Sequence, residues 1–215
     1  MISDGTRVVV AAFGILCGLT GIIAGFFEIR QGNIAPSGFV ISTIGPNYSM
    51  VDDFTYLAVT IVPNMLITGV LAVVVSCLVI IWSARFVHKK NGVLMLLGLS
   101  ITQMLVGGGW IIDLAIITCI LATRIDKPLN WWRSHLSTNL QVWLVKLLPF
   151  SLIVYAIISS IMLGLTILGV NNVMLIKPLE ILAAVMFIPI LLMIFGGLSQ
   201  DIQRQLAFDL KSEII

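Results

Sequence analysis

The chain has 215 residues, of which 59% are hydrophobic and only 10% are charged, and its mean hydropathy is +1.11. This composition excludes an ordinary water-soluble domain, because such domains carry about 25% charged residues. The formal net charge of +2 is too small to indicate a nucleic-acid-binding protein. We therefore expect a single membrane domain over residues 1–215, with the lipid bilayer as its main partner.

The first predicted element is a transmembrane helix over residues 8–27. Small residues recur along it at steps of three and four, which places them on one helix face where another helix can approach closely. Two interpretations stay open: a contact with another span of the same chain, or an interface with a second copy or a partner membrane subunit. The face consists of Ala11, Gly14, Gly18, Gly21 and Gly25.

A polar loop is predicted from Glu28 to Asp53, on the outer side of the membrane. Within it, Val40–Ile44 is mostly β-branched and favours a short strand. The second span is expected over about residues 56–84, with Pro63 near its start, where proline is tolerated. The basic cluster that follows is typical of a cytoplasmic loop.

The third apolar segment, residues 92–123, is interrupted by Gly107–Gly109. As helices, its two arms would each be about 21–22 Å long, too short to cross a hydrocarbon core of about 30 Å, whereas one straight helix would overshoot it. Glycine adopts positive φ without strain and so suits a turn. We predict a backbone break at which the segment turns and returns to its starting side. The alternative is a straight helix whose glycines admit a close neighbour.

The basic residues favour the returning segment, since Lys and Arg concentrate in cytoplasmic loops. If residues 92–123 cross the membrane once, the twelve Lys and Arg divide five against seven. If the segment returns, they divide ten against two, and only Arg30 and Lys177 face outside. The predicted fold is therefore an all-α polytopic transmembrane helical bundle, with four conventional spans, one glycine-broken returning segment and both termini cytoplasmic.

An amphipathic helix is expected over about residues 129–146, lying along the cytoplasmic interface. Its apolar residues recur at three- and four-residue steps, and Trp131, Trp132 and Trp143 suit the lipid headgroup level.

Two further spans are predicted over about residues 147–170 and 178–198. Pro149 is expected in the first turn of the former, and Pro189 is expected to kink the latter. The tail from Asp201 onward is predicted to be a short surface helix.

Asp113 and Gln103 are the candidate intramembrane polar site. Acidic residues within a membrane segment are rare and often mark ion or proton paths. Gln103 lies five residues before Gly108 and Asp113 five residues after it. A turn at the glycines would bring the two side chains to similar depth, where they would bind a cation or relay a proton. The alternative places Asp113 at the outer interface, where ionisation costs little.

No residue pattern indicates a catalytic site, a metal site or a cofactor. The three cysteines lie far apart inside apolar stretches and read as small buried side chains, and both histidines lie in loops. We expect no metal and no cofactor, and a membrane enzyme ranks third among the possible functions.

Five short motifs together resemble an uncharacterised family of small, mostly bacterial multi-span membrane proteins. The resemblance covers about the first two-thirds of the chain and implies a location in the cell membrane, without implying an activity. Helix-breaking residues follow the glycines in that family, where this chain has Trp110-Ile111-Ile112-Asp113. The motifs are Glu28–Asn33, Val62-Pro63-Asn64, Val106–Gly109, Thr123-Arg124-Ile125 and Trp131-Trp132-Arg133.

The expected function is that of a small transport or permeation protein of the cell membrane, or of an accessory subunit of one. The alternative is a structural or partner-binding membrane protein without a substrate.

Overall fold

The computed structural model describes residues 5–43, 57–109, 112–169 and 176–213, and these are mostly helical, which confirms the predicted all-α class. Two short strands, β1 (Val40–Ser42) and β2 (Leu57–Val59), form an antiparallel pair. The helices are α1 (Gly5–Gln31), α2 (Met65–Ile81), α3 (Gly92–Leu105), α4 (Ile112–Ala122), α5 (Asn130–His135), α6 (Thr138–Gly169) and α7 (Ile176–Glu213).

Four helical stretches in the described part of the chain are long and apolar enough to cross a membrane. Helices α3 and α4 are apolar but shorter, as the interrupted segment predicts. Residue 170, the last of the predicted fourth span, lies outside the described residues. The four stretches are Gly5–Gln31, Met65–Phe86, Thr138–Leu165 and Ile181–Leu210.

The chain divides into two compact units. One unit is Phe13–Cys119, and the other joins Met1–Ala12 to Ile120–Ile215. Helix α1 begins in the second unit and ends in the first.

Within the unit Phe13–Cys119, the glycine face of α1 packs against α2 of the same chain. A Cβ atom added at Gly25 would lie 2.6 Å from the carbonyl oxygen of Gly69, so the two backbones nearly touch. The two helices run antiparallel, because contacts move back along α2 and its π-helical continuation, Trp82–Phe86, as they move forward along α1. In order, Gly14 meets Ser83, Gly18 meets Ser76, and Gly25 meets Gly69.

The second span begins later than predicted. Residues 57–59 form β2 rather than helix, and α2 starts only at Met65. Pro63 lacks the N–H that a helix interior requires. Asn64 then caps the helix, because its side chain accepts a hydrogen bond from the Ile67 N–H at 3.1 Å.

In the unit that joins Met1–Ala12 to Ile120–Ile215, α6 and α7 pack against each other. Asp201 of α7 is 1% exposed and accepts hydrogen bonds from the backbone N–H groups of Gly5 and Thr6, at 2.9 and 3.0 Å. The start of α1 therefore lies beside the later part of α7. The predicted separate surface helix from Asp201 is wrong, since α7 continues unbroken to Glu213.

The amphipathic helix predicted over residues 129–146 is also not a separate element. Helix α5 ends at His135, and α6 begins at Thr138 and continues through Pro149. Ser137 provides the start signal, since its hydroxyl accepts from the Leu140 N–H at 3.4 Å. Pro149 thus lies inside a helix rather than in its first turn.

Candidate functional site

The three glycines end α3 and form a turn. Helix α3 stops at Leu105, and Gly107 and Gly109 have φ of 91° and 83°, values that L side chains rarely adopt. Residues 110–111 lie outside the described part, and α4 begins at Ile112. The predicted backbone break is therefore present at the predicted residues.

Helix α4 folds back beside α3. Ala115 lines the same small crevice as Ser100, although the two lie on opposite sides of the break. On one straight helix, residues fifteen positions apart would be separated by about 22 Å. A straight continuation through the glycines is therefore inconsistent with this crevice, whose volume is about 10 Å³.

Backbone hydrogen bonds join the glycine turn to the strand pair. The Gly107 N–H donates to the Val59 carbonyl at 2.9 Å, and the Ile61 N–H donates to the Leu105 carbonyl at 3.1 Å. Val106 and Thr60 form an antiparallel bridge. The broken helix end is thus joined to the segment after β2 by one isolated β-bridge, which gives its non-helical backbone the internal partners it needs away from water.

Glu28 lies directly behind this turn. Its side chain is 0% exposed, and neither carboxyl oxygen has a hydrogen-bond partner among the described residues. A Cβ atom added at Gly107 would collide with both oxygens. The carboxyl group is therefore enclosed, and the backbone of Gly107 covers it.

The rest of the enclosure around Glu28 is weakly polar. The Cγ2 methyl of Thr68 would lie 2.6 Å from the same Cβ position at Gly107, so this methyl is within about 5 Å of the carboxyl group. The Thr68 hydroxyl is paired with that of Thr60 at 3.1 Å. The pocket thus presents a methyl group and a glycine backbone to the acid.

No cationic side chain is available on the surrounding elements. The strands, α2, α3 and the glycine turn contain no Asp, Glu, Lys, Arg or His. Glu28 also lies in the last turn of α1, where the helix dipole disfavours negative charge. An ionised carboxylate raises the free energy of the folded protein in such surroundings, because it loses its hydration and gains no partner.

A second polar layer lies about two turns before Glu28 along α1, in the same unit. The Gln103 side chain is 6% exposed and donates through Nε2 to the Cys17 carbonyl at 2.8 Å. Ser76 is fully buried, and its hydroxyl has no partner among the described residues. Both side chains meet α1 at Gly21, where a Cβ atom would collide with each. The absence of a side chain at Gly21 makes room for this layer.

The two residues predicted to share a site lie in different environments. Gln103 is buried and lines the crevice, whereas Asp113 is exposed and is not among the crevice-lining residues. Helix α4 turns back beside α3, and the Gln103 side chain is directed to α1. The functional pairing of Gln103 with Asp113 stays a prediction.

The sequence prediction missed Glu28 by ending the first span at residue 27. Helix α1 continues to Gln31, so assigning Glu28 to the outer loop is wrong. A signal was present, since the three- and four-residue steps of the glycine face continue from Gly25 to Glu28. A carboxyl group on the face that packs most tightly is a candidate site by position alone.

No family model, curated protein or solved structure matches this chain. The site is therefore interpreted from its own geometry, and the resemblance to small bacterial membrane proteins stays a prediction.

Proposed function

We propose that this chain is a multi-pass protein of the cell membrane that passes protons or small cations across the bilayer, alone or as an accessory subunit. The observation that carries the proposal is Glu28, a fully buried acid behind an unwound glycine turn, whose oxygens have no hydrogen-bond partner among the described residues. Ionisable groups buried within membrane segments mark ion or proton paths by default.

The outward surface of α2 supports insertion into a bilayer. Its large apolar side chains recur along one face and are between 46% and 52% exposed. An apolar stripe along a whole helix is unusual on a water-soluble monomer and typical of a lipid-facing surface. The residues are Ile67, Val70, Val74, Leu78 and Ile81.

Two structural features support both termini on the cytoplasmic side. The start of α1 is bonded to Asp201, so the N-terminal end of the first span lies beside the later part of α7. Helix α4 also folds back beside α3, as the ten-against-two distribution of Lys and Arg requires.

Cysteine labelling in intact cells tests this topology. In a cysteine-free background, we expect Gly38→Cys to react with a membrane-impermeant thiol reagent. Asn130→Cys should react only after the cells are permeabilised. Both positions are exposed, so accessibility within the fold does not separate them. External labelling at Asn130 would exclude the returning segment.

Flux into proteoliposomes tests the function. The purified protein should dissipate an imposed proton or monovalent-cation gradient faster than empty vesicles do, and Glu28→Gln should reduce the rate by about tenfold or more. Asp113→Asn is the matched comparison, since it neutralises the sequence-predicted acid. Loss of flux in Asp113→Asn alone would move the site to Asp113. Wild-type flux equal to that of empty vesicles would exclude permeation by this chain alone.

The alternative, a partner-binding protein without a substrate, had relied on the glycine face of α1. From Gly14 to Gly25, the glycines of that face pack against α2 and Gln103 of the same chain. A second copy would therefore have to bind elsewhere or displace α2. We accordingly rank permeation above partner binding.

A further inference from the structure

We propose that Glu28 binds a proton, and that its protonation state controls whether the glycine turn Gly107–Gly109 is closed. This proposal deepens the proposed function and rests on the same carboxyl group. It names the ligand, a proton, and the moving part, the glycine turn.

The donor set around Glu28 fits a proton better than a metal ion. Hard cations need several oxygen ligands, for example six to eight for Ca²⁺. Within the described residues there is no group of three or more His, Cys, Asp and Glu side chains that would hold a metal. The hydroxyl of Thr68, whose methyl lies beside the pocket, is already bonded to that of Thr60. A single carboxyl group facing a methyl and a glycine has room for a proton.

The groups that the described residues place beside Glu28 are neutral. Helix α2 contributes Thr68, whose hydroxyl is bonded to that of Thr60, and the turn contributes Gly107. On the flanking helices, Arg30 of α1 and Asp113 of α4 are both exposed. The neutral, protonated acid therefore matches the closed pocket. Loss of the proton leaves a buried negative charge that needs water or a new donor.

Of the segments that contact Glu28, the glycine turn is the one that can move with the least rearrangement. Gly107 lies against Glu28, while Gly108 and Gly109 line the crevice that also contains Gln103. The turn thus separates the acid from the crevice. It is held by two backbone hydrogen bonds, from Gly107 N–H to Val59 and from Gly108 N–H to Gln103, both 2.8–2.9 Å long. Breaking them would open Glu28 to the crevice without moving a large side chain.

Hydrogen–deuterium exchange at the Gly107 and Gly108 amides tests the movement. In nanodiscs, and after correction for intrinsic exchange, wild-type protection should fall by about tenfold or more as pH rises through the titration of Glu28. Glu28→Gln imitates the protonated acid and should keep both amides protected at every pH. The control is Asp126→Asn, which changes an exposed acid and should behave as wild type does.

Infrared spectroscopy follows the proton itself. The carbonyl band of a protonated carboxyl group should disappear from wild type over the same pH interval in which the amides lose protection, and it should be absent from Glu28→Gln. If that variant does not fold, the wild-type measurements still decide the matter. Wild-type protection that does not change with pH overturns the proposal, as does a pH dependence that Glu28→Gln retains.

The exchange and flux measurements test the proton switch and permeation separately. A pH-dependent turn in a protein without flux would support the proton site and refute permeation. Flux with a pH-independent turn would support permeation and refute the proton switch.

Discussion

A buried carboxyl group lies at each end of helix α1. The two groups differ in whether backbone N–H groups donate hydrogen bonds to them. At the N-terminal end, Asp201 accepts from the N–H groups of Gly5 and Thr6. At the C-terminal end, Glu28 has no hydrogen-bond partner among the described residues. Since a helix N-terminus favours negative charge and a C-terminus disfavours it, Asp201 is placed to stabilise the fold and Glu28 is not.

Burial alone therefore does not identify a functional acid. Asp201 and Glu28 are 1% and 0% exposed, so accessibility does not separate them. The separating feature is whether the folded chain supplies donors. An acid without donors among the described residues, covered only by a glycine backbone, is the one available to exchange a proton.

The largest expected loss of stability comes from a substitution that forces α1 and α2 apart near Glu28. Gly25→Leu would drive a side chain into the Gly69 carbonyl, 2.6 Å from the new Cβ, and we expect a loss of more than about 3 kcal/mol in unfolding free energy. Thermal unfolding in detergent measures it. Gly98→Leu is the control, since nothing lies within 4 Å of that Cβ position. Equal melting temperatures for the two variants would show that α1 and α2 do not pack this closely.

The next largest loss of stability is expected at Gly107, whose backbone covers the Glu28 carboxyl group. Gly107→Ala combines a positive φ with a collision against the carboxyl oxygens, so we expect a loss of about 2–3 kcal/mol. In a Glu28→Ala background the collision with the carboxyl oxygens is absent, while the backbone strain and the close approach to the Thr68 methyl remain, so the loss should shrink by about 1 kcal/mol. A double-mutant cycle on the four proteins gives the coupling. Zero coupling would mean that Gly107 does not cover Glu28.

Much of the architecture was predictable from sequence because it follows from long, regular signals. Four apolar stretches predicted four long helices, and Gly107–Gly109 predicted the break between α3 and α4. Helix ends were less predictable, since a polar residue does not have to end a helix when tertiary contacts continue it. Glu28 and Asp201 are such residues, and both were assigned to the surface.

The candidate site was less predictable because its parts come from distant segments. Glu28 and Gly107 are 79 positions apart, and no local pattern relates them. Their contact depends on Thr60 pairing with Val106 and on Gly25 meeting Gly69, which are tertiary events. Asp113 was easier to notice because it is the lone acid in an apolar segment, although its side chain is exposed.

An amide substitution at the partnered acid should destabilise the protein. Asp201→Asn keeps the shape of the side chain but places an amino group against one of the two helical N–H donors. We expect a loss of about 1–2 kcal/mol, the scale of one charge-assisted hydrogen bond. Chemical denaturation in detergent measures it, with the exposed acid variant Asp126→Asn as control. An unchanged midpoint would show that Asp201 does not cap α1.

The same substitution at the unpartnered acid should have the smallest effect. Glu28→Gln removes a group that must either hold a proton or carry an uncompensated charge, and no donor in the described part of the chain is lost with it. We expect a change within about 1 kcal/mol, neutral or stabilising, because an amide is buried more cheaply than a charge. Asp201→Asn, measured in the same denaturation series, is its matched partner. A loss at Glu28→Gln as large as that at Asp201→Asn would mean that Glu28 accepts hydrogen bonds in the folded protein. The two ends of α1 would then be chemically alike, and the case for proton exchange at Glu28 would fail.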